Sequence, residues 1–148
     1  MNAIEHLESQ HGDIEDLFHE LGLAKDIATR SVILSELGTS LLSHAASERQ
    51  LLAALMLRHH DESLVACSQK QRAADRTLST LLAIDPADTT FDAQLGRLQD
   101  SFEACVEHEE TELFPLIRAL VAPAQLPLER LRADVTPRPA PPAILSAA

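Results

Sequence analysis

The chain has 148 residues, 45% of them hydrophobic, with four Phe, four Gly and neither Trp nor Tyr; this describes one domain with an aliphatic core and favours helix over sheet. A net charge of −11 excludes nucleic acid and anionic membrane as expected partners, because both are held through clustered Lys and Arg. The opening MNAIEHLESQHG has Glu and His where a secretory leader has a basic and then an apolar run, the apolar stretch 51–57 is too short for a bilayer, and two cysteines make no disulfide framework, so a soluble cytoplasmic setting is expected.

The first predicted helix carries Ile4, Leu7, His11, Ile14, Phe18 and Leu21 at alternating spacings of three and four. That is one apolar stripe with a histidine inside it. Asn2, with Glu5 three residues on, reads as its N-cap, and Gly22 helps to end it. The second helix runs from about Asp26 to Leu57, with the stripe Ile33, Leu37, His44, Glu48, Leu51 and Leu55. The third follows the polar turn Arg58-His59-His60-Asp61, shows Leu64, Cys67, Gln71, Asp75, Leu78 and Leu82 on one side, and stops at Asp85-Pro86. The fourth begins near Thr89, where Asp92 suggests a variant capping box. Its stripe is Leu95, Leu98, Phe102, Cys105, Glu109, Leu113, Leu116 and Leu120, and Pro115 inside it predicts a kink. Residues 1–122 are therefore expected to form an all-α, antiparallel up-down four-helix bundle. Residues 123–148 are expected to hold a short weak helix near 128–133 and a flexible, disordered Pro/Ala-rich tail.

Three of the seven histidines are followed by a glutamate four residues later: His11/Glu15, His44/Glu48 and His108/Glu112. Such spacing puts both side chains on one helix face. A lone histidine on an apolar face is usually a core or boundary residue, and a His/Glu pair one turn apart is usually a surface hydrogen bond. Projection at about 100° per residue separates the pairs. His44 and Glu48 are both central to their apolar stripe; His11 is inward, with Glu15 at the edge. Glu109 is inward with Cys105 about 50° away, whereas His108 faces sideways. Gln71 is central on the third helix and Asp75 lies within about 50° of the centre. His6, His19, His59 and His60 read as solvated. Each helix thus brings a polar, ligand-type side chain to its buried face, and unpartnered buried carboxylates cost several kcal/mol, of order 3 or more. A shared cation offsets that cost, with imidazole and carboxylate suiting a first-row metal.

The residues that point inward also carry a resemblance. LESQHGDIEDLFHEL, LLSHAASERQLLAAL and DPADTTFDAQLGRLQDSFEACVEHEETELFPLI resemble three helices of the hemerythrin-like family, also called HHE cation-binding domains. The resemblance covers roughly residues 1 to 120. It implies a four-helix bundle whose di-iron centre lies between bridging carboxylates and about five histidines and binds dioxygen or related small molecules. His11, His44, Glu48 and Glu109 fall at positions that match the family's ligands, and Leu113-Phe114-Pro115 matches the end of its motif. Cys105 stands where the family has a histidine, and Gln71 is the best counterpart of a third-helix histidine. The metal set implied is His11, His44, Glu48 and Glu109, with Cys105 or Asp75 completing it. The ion is iron, as a pair or a single metal, or zinc if a thiolate takes part.

Two functions are expected from these readings. One is a metal-binding protein, not an enzyme, that binds or senses dioxygen or nitric oxide or handles iron under stress. The other is a metal-free bundle serving as an interaction or regulatory module, with Gln71 and Cys105 at ligand positions as its motive. A thiol switch between Cys67 and Cys105 is a third reading, with direct bridging requiring movement.

Overall fold

Asn2 begins the first helix as its spacing predicts. Its side chain accepts hydrogen bonds from the backbone of Ile4 and Glu5, while Glu5 accepts from the backbone N–H of Asn2. In the computed structural model, which describes residues 1–122 together with Gln125 and Leu126, α1 then runs over Ala3–Leu23. Asp26 caps α2 (Ile27–Met56) and Asp61 caps α3 (Glu62–Leu82), each by accepting a backbone N–H of its own helix. The start of α4 (Phe91–His108) differs from the expected box. Thr90 makes no side-chain cap, and Asp88 instead accepts from the backbone and hydroxyl of Thr90 to fix the turn before it. A π-helical turn, Glu109–Leu113, follows α4 directly, and α5 (Phe114–Leu120) continues from it. The expected weak helix near 128–133 and the tail lie outside the described residues. No helix among the described residues is long and apolar enough to cross a membrane.

The core divides into two apolar layers. One contains Ile4 and Leu7 of α1, Leu51 and Leu55 of α2, Leu64 and Cys67 of α3, and Leu113, Phe114 and Ile117 of the final segment. The other contains Ile14 and Phe18, then Leu34 and Leu37, then Leu78 and Leu81, then Leu95, Leu98 and Phe102. Successive helices meet the two layers in opposite order, which is the up-down-up-down arrangement of an antiparallel four-helix bundle. Between the layers, at mid-height, lie His11, His44, Glu48, Gln71 and Glu109, all buried.

The end of the bundle departs from simple helical phase. Ile117 and Val121 are buried, whereas Leu120 is 39% exposed, so the stripe expected at Leu116 and Leu120 moves by one residue. The cause is the π turn. The N–H of Phe114 donates to the carbonyl of Glu109, five residues back, which takes one more residue into the turn and rotates everything after it. Pro115 helps to explain why: it has no N–H, and in a regular α-helix its ring would crowd the carbonyl four residues earlier. The expected proline kink is thus absorbed as a widened turn that begins at Glu109.

Candidate metal centre

Four segments build the polar layer. α1 supplies His11, α2 supplies His44 and Glu48 one turn apart, α3 supplies Gln71, and the first residue of the π turn is Glu109. The Nε2 atom of His11 lies 3.0 Å from Oε2 of Glu109. Nε2 of His44 lies 3.9 Å from the same oxygen and 3.9 Å from Oε2 of Glu48. One ligand atom each from His11, His44 and Glu109 falls within 4.8 Å of the others, and so does one each from Glu48, Cys67 and Glu109. Glu109 therefore belongs to both groups.

The outer nitrogen of each imidazole is held by a second partner. Nδ1 of His11 is 2.7 Å from Oε1 of Glu110, and Nδ1 of His44 is 3.3 Å from Oε1 of Gln10. Such outer bonds fix the ring and leave the other nitrogen facing inward. Phe114 stacks on His11 with ring centres 5.8 Å apart and planes 8° apart. Phe102 meets both imidazoles edge-on. Two consecutive glutamates reach the same imidazole here. In an α-helix they would point about 100° apart; the widened turn begins at the residue where both are needed, and π turns are often found at functional sites.

The charges in this layer are strained by burial. Burial drives the His44 pKa down to about 4, with the nearby Glu109 charge only partly opposing it. Burial would also lower His11, but its hydrogen bonds and charge contacts with Glu109 and Glu110 outweigh that and raise it. Burial and then the charge of Glu109 push the Glu48 carboxyl up to about 8. Cys67, buried, donates its S–H to Oε1 of Glu48 at 3.0 Å, and burial with the Glu48 charge pushes its thiol far up. None of the described arginine ion pairs reaches Glu48 or Glu109: Arg49 pairs with Asp75, Arg118 with Glu8 and Arg30 with Asp92. The buried amide of Gln71 lies beside Glu48, yet neither its nitrogen nor its oxygen makes a hydrogen bond of regular geometry.

These residues fit a cation. Two buried carboxylates that none of the described arginine ion pairs reaches, two imidazoles with inward nitrogens and an under-bonded buried amide are the donors that a divalent ion satisfies. They do not make up a five-histidine set, since only His11 and His44 enter the cluster among the described residues. Of the six ligand candidates read from sequence, His11, His44, Glu48 and Glu109 come together. Asp75 turns outward to Arg49 at 2.9 Å, because it lies one turn past Gln71 at the edge of the buried face. Cys105 is half-buried and lines the cavity beside Glu109 without joining either donor group; Val106 takes the inward place. Cys67 stands with the carboxylates instead. Its sequence signal was its place on the apolar stripe of α3 between Leu64 and Gln71, which by itself does not separate it from Cys105. Gln10 and Glu110 had no such signal, since both lie off the apolar stripe. His108 pairs with Glu112 at 3.4 Å, away from the cluster.

A cavity of about 40 Å³ adjoins His44, Glu48, Gln71 and Glu109 and is otherwise walled mainly by Leu78, Leu98 and Phe102. One water-sized molecule needs roughly 10–15 Å³ of such space, so this cavity admits a very small guest.

The family model described as the hemerythrin HHE cation binding domain matches residues 2–117. Comparisons with curated proteins and with solved structures find no match.

Proposed function

The chain belongs to the hemerythrin HHE cation-binding domain family, and from that membership we propose that it holds one divalent cation, iron before other metals, between His11, His44 and Glu109, with Glu48 alongside. The observation that carries this reading is the convergence of two imidazoles and two carboxylates, all buried, with none of the described arginine ion pairs reaching the acids. A bound iron ion with open coordination positions would supply reversible binding of a diatomic gas such as dioxygen or nitric oxide. The chain's own residues do the rest. Glu110 and Gln10 orient the imidazoles. Leu78, Leu98 and Phe102 give the cavity an apolar wall. The Gln71 amide lines the cavity wall beside Glu48, where it faces a small polar guest. The role that follows is binding, sensing or iron handling under stress, not catalysis.

The test is anaerobic loading with iron(II), followed by metal analysis and thermal unfolding. A ligand that binds only the folded state stabilises it, by about 2.7 kcal/mol at a hundred times its Kd. Iron retained after desalting, a raised Tm, and loss of both in His44→Ala and Glu48→Ala support the proposal. Protein that stays metal-free with an unchanged Tm overturns it. The alternative, a metal-free interaction module, draws on one observation: His11 already bridges Glu109 and Glu110 as a buried ion pair that needs no metal. That alternative is the one left standing if no cation stabilises the fold.

A further inference from the structure

The cavity beside the cluster shares part of its wall with the outer surface of the bundle. Ala74 of α3 and Cys105 of α4 line the cavity, and both also line a groove along the α3/α4 seam. Lys70, Ala73, Ser101 and Ala104 complete that groove, and Lys70, Ala73 and Ala104 are exposed. Between groove and cavity stand one methyl group and one thiol, both half-buried. The neighbouring seams differ. On the α2/α3 side, Asp75 of the cavity wall is tied to Arg49 at 2.9 Å. A groove on α1 and α2, lined by Gln10, Asp13, Thr39 and Ser43 among others, shares no residue with the cavity. An independent observation indicates that the cavity receives a guest. The Gln71 amide, 6% exposed, faces it beside Glu48, and neither of its polar atoms makes a hydrogen bond of regular geometry. Native proteins seldom leave a buried amide in that state unless something else satisfies it.

We propose that small molecules enter the cavity through the α3/α4 seam, and that Cys105 and Ala74 are the neck that selects them by size. The proposal rests on the cation-binding reading, because a guest admitted here arrives beside His44, Glu48 and Glu109. A free cysteine behaves as a small hydrophobe. Burial, and then the charges of Glu109 and Glu48, push the Cys105 thiol up to about 11, so near neutral pH it is uncharged and a slow nucleophile. Its bulk, and not its reactivity, sets the width of the neck. A cavity of about 40 Å³ behind a methyl and a thiol suits a guest of two or three heavy atoms, and a larger side chain at either position would close the way in.

The neck can be narrowed without a substitution. At mildly alkaline pH the Cys105 thiolate attacks methyl methanethiosulfonate. A methyl disulfide forms on Cys105, the reagent's own sulfur–sulfur bond breaks, methanesulfinate leaves, and dithiothreitol reverses the change. Cys67, 2% exposed, should stay a free thiol. Mass spectrometry of the full chain in chelator should show one label, gained at a rate that urea below the unfolding transition does not alter; a label gained only on unfolding overturns the proposal. Two entry rates are then read. In iron(II)-loaded protein, the label should slow nitric oxide association at least tenfold with iron content unchanged, and dithiothreitol should restore it. In metal-free protein, exchange of dissolved xenon with the cavity, followed by xenon NMR, should slow by a similar factor. Arg49→Ala, which unties the α2/α3 side, should leave both rates as in wild type. Rates that ignore the label, or that rise in Arg49→Ala, overturn this route and leave the cation site standing. Absence of bound iron overturns the cation reading, and xenon exchange alone then decides the route: no exchange, or exchange that the label does not slow, overturns it.

Discussion

Replacing Glu48 by Gln should stabilise the metal-free protein, the opposite of what losing a structural hydrogen-bonding residue would do. Glu48 is 2% exposed, and burial together with Glu109 lifts its carboxyl to about 8. The unfolded carboxyl ionises near 4.5, so between these values the unfolded state binds fewer protons than the folded one. Stability therefore falls as pH rises through that window. At pH 7 the difference spans about 2.5 units at 1.36 kcal/mol each, about 3 kcal/mol. Glutamine keeps an oxygen that can accept the Cys67 S–H bond and cannot ionise. The expected gain in chelator at pH 7 is therefore up to about 3 kcal/mol, or about 6–12 °C in Tm for a domain of this size. Urea unfolding followed by circular dichroism measures it directly. Added iron(II) or zinc should then raise the variant's Tm by less than it raises wild type, because a ligand is gone. A metal-free Glu48→Gln protein less stable than wild type at pH 7 would refute the reasoning, and Glu48 would be a satisfied structural residue.

The same two groups set an acid dependence. His44 has its folded pKa lowered to about 4, so its contribution is present above the unfolded value of 6.5 and is lost as pH falls toward 4. Metal-free Glu48→Gln, with the opposing slope removed, should lose about 2 kcal/mol between pH 6.5 and 5, while wild type changes little; a flat profile in the variant argues against a neutral buried His44. His11, raised, is protonated in both states below pH 6.5 and adds no slope there. Phe114→Ala should cost about 3–5 kcal/mol in urea unfolding, since the ring is fully buried and stacked on His11, and should also reduce the metal-induced rise in Tm. Asn2→Ala removes the acceptor for the N–H groups of Ile4 and Glu5 and should cost about 1 kcal/mol without changing metal binding.

The four helices and four of the ligand candidates were legible because they depend on local phase, and the family was legible through the motifs around those ligands. An α-helix repeats every 3.6 residues, so His11 between Leu7 and Ile14, or His44 and Glu48 between Leu37 and Leu51, must share the face that the leucines bury. The capping pattern at Asn2 is local in the same sense. Three features were not local. The π turn at Glu109 depends on Pro115 together with the packing of Leu113, Phe114 and Ile117 against the rest of the core. It moved the inward stripe from Leu116 and Leu120 to Ile117 and Val121, and it brought Glu110 to His11 beside Glu109. Asp75 lost its expected role to Arg49 on α2, a partner that helical projection of α3 alone does not contain. The choice between thiols was also tertiary: Cys67 and Cys105 both lie near an apolar face, and only the register of α3 against α2 and the π turn put Cys67 beside Glu48 and Glu109. Sequence determines which face a side chain takes through the short-range geometry of the helix; which atoms meet across the bundle is decided by the relative height and rotation of helices far apart in the chain.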